Sequence, residues 1–347
     1  MYPKDKKLKV AVNGVGRIGR IFLKVALRRG EIEIVAVNDL GDIENIAYLL
    51  KYDSVYGKSN FSVEIRDDKK ALIIDGREIL FFSEKDPKDL PWRDLDIDVV
   101  VESTGAFTRF ETAKVHLEAG AKRVVISAPA KDSPADESQA TVLMGVNDES
   151  LKTCSVSSNA SCTTNAGSPL IQILEENLGI EKALLNTVHG VTASQSVVDA
   201  PNSKNWRLGR MSGTSIIPTS TGAAIATTKV IKSLEGKFDG IALRVPVSVG
   251  SIVDVTFISK KKTSVEGVNK ILEDAAQEER WRSVFAVTRE SLVSADIIGS
   301  SYGSVADLSL TRVVDGNLVK VLAWYDNEMG YTHTLIEHVI KTGQYIE

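Results

Sequence analysis

Along the first 160 positions, short stretches of alternating or uninterrupted apolar residues predict strands at 8–12, 33–37, 71–74, 78–82 and 98–101, with another from 123. Helical spacing of apolar residues falls between them at 20–29 and 108–119. The run Asp98-Val99-Val100-Val101 has no polar alternation, as expected of a strand covered on both faces, so the set is expected to pair in parallel. Two closing strands are expected at 142–144 and 154–156, with a polar loop at 130–140. After 160 the pattern changes. A helix runs through Leu170-Ile171-Gln172-Ile173-Leu174, a strand covers 183–188, and a long loop with little periodicity spans 193–217. A helix at 225–234, alternating strands near 241–246, 253–258 and 319–325, and helices at 265–276 and 334–341 complete the chain. This half predicts a mixed or antiparallel sheet and a separate domain.

The turn after the first strand carries chemistry. Gly14, Gly16 and Gly19 have the G-x-G-x-x-G spacing between a strand and a helix, which permits a tight turn, close approach of a pyrophosphate and close helix packing. Asp39 follows the second strand about 20 residues later, where a carboxylate bonds ribose hydroxyls and repels a 2′-phosphate; the alternative is a turn or cap residue. NAD is therefore the expected cofactor. The loops at Ser103-Thr104-Gly105 and Ser127-Ala128 follow strand ends and are cofactor-facing candidates or ordinary turns. The expected fold is α/β. Residues 1–160 form a Rossmann-type doubly wound sheet, completed by the C-terminal helix 328–347, and 161–327 form an α+β catalytic domain with a mixed or antiparallel sheet.

Cys162, one of two cysteines, sits where the first turn of a helix is expected, a setting that favours the thiolate. Ser161, Thr163 and Thr164 beside it offer room and hydrogen bonds to a substrate. Cys154, on an expected strand, reads as a core thiol. His189 ends a strand, a position suited to a base, whereas His116, His333 and His338 fall inside helical runs. Thr221 and Gly222 precede a helix start that is either an anion site or a simple cap. Arg244, inside an apolar strand, needs an anionic partner, either a substrate phosphate or a structural carboxylate. Asn327 is suited to a carboxamide or to a helix cap.

Composition narrows the picture. A formal charge of −4 and 43% hydrophobic residues are those of an ordinary globular protein. Neither a nucleic-acid surface nor a membrane span is expected, and Lys260-Lys261-Lys262 reads as a solvated turn. The charged start, Met1 to Lys7, lacks a signal peptide's apolar stretch, so a cytosolic location is expected. No metal is expected.

Six motifs in order resemble the phosphorylating glyceraldehyde-3-phosphate dehydrogenases. They are Asn13-Gly14-Val15-Gly16-Arg17-Ile18-Gly19-Arg20, Ser158-Asn159-Ala160-Ser161-Cys162-Thr163-Thr164-Asn165, Thr187-Val188-His189, Ile217-Pro218-Thr219-Ser220-Thr221-Gly222-Ala223-Ala224, Arg244-Val245-Pro246 and Trp324-Tyr325-Asp326-Asn327-Glu328-Met329-Gly330-Tyr331. The resemblance implies Cys162 as nucleophile, His189 as its base, and Arg17, Ile18, Asp39, Lys85, Ser127 and Asn327 around NAD. It implies Thr192 and Arg244 near the phosphate of glyceraldehyde 3-phosphate, and Ser161, Thr163, Thr221 and Gly222 around attacking inorganic phosphate. It also implies a homotetramer with the long loop reaching a neighbour. Erythrose-4-phosphate dehydrogenase would share Cys162 and His189, and a non-catalytic NAD-binding role is the reading from another class. Departures from the family pattern are Ala166, Val191, Leu208, Ala200 and the segment Val247-Ser248-Val249-Gly250. Ala200 leaves room for some NADP use.

Overall fold

In the computed structural model the described residues are 6–203 and 205–346. Residues 1–5 of the charged start, Lys204 of the long loop and Glu347 of the expected closing helix lie outside them. The chain divides into two compact units.

The first unit comprises residues 1–142, 147–160 and 335–347. Its elements are β1 (Leu8–Asn13), α1 (Arg17–Ala26), β2 (Ile32–Asn38), α2 (Ile43–Lys51), the ribbon β3 (Tyr52–Asp53) with β4 (Gly57–Lys58), β5 (Val63–Ile65), β6 (Ala71–Ile74), β7 (Arg77–Phe82), β8 (Val99–Glu102), the short α3 (Phe110–Ala113) and α4 (Val115–Glu118), β9 (Arg123–Ile126), β10 (Gln139–Thr141) and β11 (Val156–Ser158). Nine of these strands form one sheet in the order β10-β11-β9-β8-β1-β2-β7-β6-β5. From β10 to β7 every pairing is parallel. The chain leaves β1 toward β2 on one side and returns at β8 on the other, so the switch point lies at the carboxyl end of β1, where open α/β sheets take ligands.

Three expectations fail here. The strands at 71–74 and 78–82 pair antiparallel, not parallel, because Asp75 (φ 48°) and Gly76 (φ 74°) close a two-residue hairpin between them. The single helix expected at 108–119 is two short helices meeting at Lys114. The closing strands also fall slightly away from 142–144 and 154–156, at β10 and β11. Cys154 is buried and its thiol is pushed up to about 11 by that burial, the state of an inert core thiol.

The second unit comprises residues 143–146 and 161–334. It holds α5 (Cys162–Leu178), β12 (Ile180–His189), β13 (Ile217–Ser220), α6 (Ala223–Val230), β14 (Phe238–Arg244), β15 (Ser251–Ser259), α7 (Val265–Gln277), β16 (Phe285–Thr288), β17 (Ser304–Asp307), β18 (Arg312–Val314) and β19 (Leu318–Tyr325); α8 (Met329–Gly343) begins in this unit and ends in the first. The sheet is mixed, as expected: β12 runs parallel to β14 and antiparallel to β15. The strict alternation of β15 buries Val253, Val255 and Phe257 with Leu170, Ile173 and Leu174 of α5 in one core. Each of these side chains contributes about 1.5–3 kcal/mol by leaving water. That core fixes the helix whose first residue is Cys162.

In the first unit the far end of α8 is tied to the sheet. His338 bonds Ser157 Oγ (2.8 Å) and Asn159 Oδ1 (3.0 Å), and Arg29 pairs with Glu337 at 2.6 Å.

Candidate active site

In the first unit a cavity of about 510 Å³ is lined by Asn13, Gly14, Gly16, Asn38, Asp39, Leu40, Glu84, Lys85, Pro87, Ser103, Thr104, Ala106 and Phe107. The three glycines of the turn divide three tasks. Gly14 has φ +96°, and a Cβ there would lie 2.6 Å from Thr104 N; a Cβ on Gly19 would meet Gly14 O at 2.1 Å. A Cβ on Gly16 would meet nothing within 4 Å, so that backbone faces open space at the start of α1. This turn fits a pyrophosphate, whose charge the unpaired N–H groups of a helix start favour. The Asp39 carboxylate lines the cavity and accepts from Val15 N (2.6 Å) and Gly41 N (2.8 Å), which holds it against the glycine turn. Lys85 is exposed at the rim. Arg17 instead reaches Asp53 (2.6 Å) and lies over Tyr56, and Ile18 and Ser127 are half-buried.

In the second unit Ser161 caps α5, its hydroxyl accepting from Thr164 N at 3.1 Å, a contact that stabilises a helix by about 1 kcal/mol. Cys162 therefore opens the helix, half-buried, with Sγ 3.3 Å from His189 Nε2. His189 ends β12 and is buried; its strand neighbour in register is Arg244 of β14. The Arg244 Nη1 lies 2.6 Å from His189 Nδ1, and so does the Gly190 carbonyl oxygen. A guanidinium only donates and a carbonyl only accepts, so the two compete for opposite states of Nδ1. With Nδ1–H donated to Gly190, the Nε2 lone pair faces the thiol and His189 is a base; with Nδ1 accepting from Arg244, the proton sits on Nε2.

Burial and then Arg244 lower His189 to about 4, so the imidazole is neutral near pH 7. The thiol departs from expectation. Burial raises Cys162 above its ordinary value, although Arg244 and the hydrogen bonds at Thr163 act the other way. Here desolvation outweighs the helix start, so the pair rests as thiol and imidazole, and ionising Cys162 calls for transfer of its proton to His189.

The hydroxyls beside the thiol are less free than the sequence implies. Ser161 Oγ also meets Thr164 Oγ1 at 2.7 Å, and buried Thr163 bonds Tyr325 OH at 3.0 Å. Tyr325 OH bonds Thr187 Oγ1 as well (2.7 Å), its ring meets His189 edge-on at 6.0 Å, and burial holds its phenol neutral by raising its pKa. The sequence reading missed Tyr325 as a brace between α5 and β12, though it stands in the closing motif. Asn327 is buried, its Oδ1 accepting from Ser251 Oγ (2.9 Å) and Gly250 N (3.3 Å), while Ser251 Oγ accepts from Gly190 N. The start of α8 is capped by Asp326, not Asn327. Thr192 is half-buried with its hydroxyl on Ser194 Oγ; Thr221 and Gly222 stand at the start of α6, where a Cβ on Gly222 would meet nothing within 4 Å. Helices α5 and α6 are joined by Ser168 Oγ and Thr227 Oγ1 at 2.9 Å. Among the departures, Ala166 is fully buried in the core and Val191 N donates to Val247 O, which covers Gly190.

Residues 8–110 match the family described as glyceraldehyde 3-phosphate dehydrogenase, NAD binding domain, and residues 161–327 match that enzyme's C-terminal domain. Similar proteins include glyceraldehyde-3-phosphate dehydrogenase of Clostridium acetobutylicum, 46% identical over 94% of this chain and 96% of that protein. The protein of that name from Geobacillus stearothermophilus is 45% identical over 95% of this chain and 96% of its own length. Glyceraldehyde-3-phosphate dehydrogenase 1 of Kluyveromyces lactis is 43% identical over 96% and 99%. With a thiol and a neutral imidazole in contact in one unit and a dinucleotide turn in the other, this chain belongs to the glyceraldehyde-3-phosphate dehydrogenase family.

Proposed function

We propose that the chain oxidises glyceraldehyde 3-phosphate to 1,3-bisphosphoglycerate with NAD and inorganic phosphate, and that Cys162 and His189 carry the chemistry. The observation that carries this reading is Cys162 Sγ at 3.3 Å from a neutral His189 Nε2, with Arg244 on the adjacent strand. His189 takes the thiol proton as Sγ bonds the aldehyde carbon, and hands it on to the former carbonyl oxygen to give a thiohemiacetal and a neutral imidazole. His189 then removes the hydroxyl proton as the carbon is oxidised to a thioester. Gly14, Gly16, Arg17, Ile18, Gly19, Asp39, Lys85, Ser127 and Asn327 would hold NAD, which when bound would supply the hydride acceptor. A phosphate oxygen bonds the acyl carbon, the carbon–sulfur bond breaks, and the thiol is regenerated. Thr192 and Arg244 hold the substrate phosphate, which draws Arg244 off Nδ1 and leaves His189 in its base form. Thr221 and Gly222 receive the attacking phosphate beside Ser161 and Thr163.

NADH formation from glyceraldehyde 3-phosphate, with and without inorganic phosphate, tests this. Phosphate-dependent turnover that Cys162→Ser abolishes, by roughly 10³-fold or more, is expected. Turnover indifferent to phosphate, or unchanged in that variant, sinks the mechanism.

We assign residues 1–160 and 328–347, where α8 covers Met329–Gly343 and not the whole of the expected helix, to NAD binding and 161–327 to catalysis. We further propose a cytosolic homotetramer. No helix of the described residues is long and apolar enough to cross a membrane. One face of the second unit's sheet leaves Leu184 (65% exposed), Ile241 and Leu318 uncovered, and the long loop exposes Val197 and Trp206. Apolar area of this kind fits contact with further copies.

A further inference from the structure

We propose that a buried chain of hydrogen bonds linking Trp92, His116, Glu102, Asn13 and Asn38, its donors converging on Glu102 from both sides, positions the dinucleotide cradle, with His116 and Glu102 as positioning residues for NAD. This rests on the reading of the 510 Å³ cavity as the NAD site.

The direction of every link follows from what each group can do. Trp92 Nε1 only donates, and it lies 3.1 Å from His116 Nδ1, so that nitrogen is bare and the ring's proton is on Nε2. Nε2–H donates to Glu102 Oε2 at 3.1 Å, which leaves His116 neutral. The same oxygen accepts from Asn13 Nδ2 at 2.6 Å, so the two donors, 3.4 Å apart, share it. Glu102 Oε1 accepts from Thr104 N at 2.8 Å and from the Thr104 hydroxyl. With its amide nitrogen committed to Glu102, Asn13 presents Oδ1 to Asn38 Nδ2 (2.8 Å), and Asn38 Oδ1 accepts from Glu84 N (2.8 Å). Trp92, His116, Glu102, Asn13 and Asn38 are all buried.

The chain joins the carboxyl ends of β1, β2 and β8 and the segment after β7. Asn13, Asn38, Glu84 and Thr104 line the cavity, whereas Trp92, His116 and Glu102 stand behind them. Glu102 also sets how close Thr104 comes to the glycine turn, where Ser103 Oγ donates to Gly14 O at 2.6 Å. Four donors converge on one carboxylate, a group that only accepts. Loss of any of them moves a cavity wall before it moves the catalytic residues.

Calorimetric titration of the full chain with NAD tests this, together with KM for NAD, kcat at saturating NAD, and the rate of Cys162 alkylation by iodoacetamide. His116→Leu should weaken NAD binding about tenfold, the size expected from losing a buried bond to a charged group. kcat and alkylation should stay within about twofold, because His116 touches neither Cys162 nor substrate. His116→Gln, whose amide carries an acceptor and a donor at similar spacing, should restore most of the affinity. Glu102→Gln should weaken binding at least as much as His116→Leu, since its NH₂ must face donors on one side or the other. A folded His116→Leu chain that binds NAD like the parent overturns the proposal. If that variant does not fold, Trp92→Phe decides. Affinity about threefold weaker supports the chain of bonds, and parental affinity overturns it. A parent chain that fails to bind NAD at all would instead sink the cofactor reading, a result separate from either.

Discussion

Both units bury a histidine beside the polar groups of their sites, and they treat it in opposite ways. In the first, His116 has a donor on one nitrogen and an acceptor on the other, and its neighbours are matched in turn. In the second, His189 Nδ1 faces a donor and an acceptor that want different protonation, and the buried Arg244 Nε has no partner among the described residues. Unmatched buried polar groups are costly, by about 1–3 kcal/mol each, so they persist where something is gained. Matched networks hold a shape; unmatched ones are where protons and anions are handled.

Acid should break this contrast with the largest effect, because both units hold a histidine neutral. His189 is lowered from 6.5 to about 4 by burial and then Arg244, and His338 from 6.5 to about 3 by burial. The unfolded chain takes up each proton first as pH falls, so stability is full above 6.5 and declines below it until the folded values are reached. Each group withdraws on the order of 3 kcal/mol. The urea midpoint should drop steeply from neutrality toward pH ~4; a flat midpoint would contradict buried neutral histidines.

Next in size is His189→Asn, which keeps an amide near Gly190 and deletes Nε2. kcat should fall roughly 10²–10⁴-fold with NAD affinity unchanged, measured by steady-state kinetics and titration. A matching loss of NAD binding would mean that the units do not divide the work as drawn. Smaller again is Arg244→Leu, with KM for glyceraldehyde 3-phosphate raised about 10–100-fold. The same change should raise the pH at which His189 titrates, since Arg244 is one of the two causes that lower it. NMR of the His189 ring would follow it, and an unmoved titration would show burial acting alone.

The local motifs were legible because their geometry lies within a few residues: the three glycines, Asp39 after the second strand, Cys162 opening a helix, His189 ending a strand. The hairpin at Asp75-Gly76 carried a signal too, the dipeptide that favours positive φ at both turn positions, and the apolar pattern around it masked it. What no local pattern encodes is pairing across distance. His116 meets Asn13 across 103 residues and Tyr325 meets Thr163 across 162, so neither histidine network nor brace could be read from spacing. The thiol follows the same rule: the helix start that favours a thiolate is local, whereas the burial that raises the thiol is a property of the whole core.

The parallel register that sets His189 opposite Arg244 gives the second unit a built-in ruler. In the proposed reading, the gap between the carbon being oxidised and the phosphate of its substrate is measured by two adjacent strands, which cannot slide by a fraction of a residue. Selection among sugar phosphates of different length is then set in the sheet. A variant adapted to a longer aldehyde would have to bend the substrate or recruit a new cation from the loops at Thr192 and Thr221, leaving the ruler as it stands.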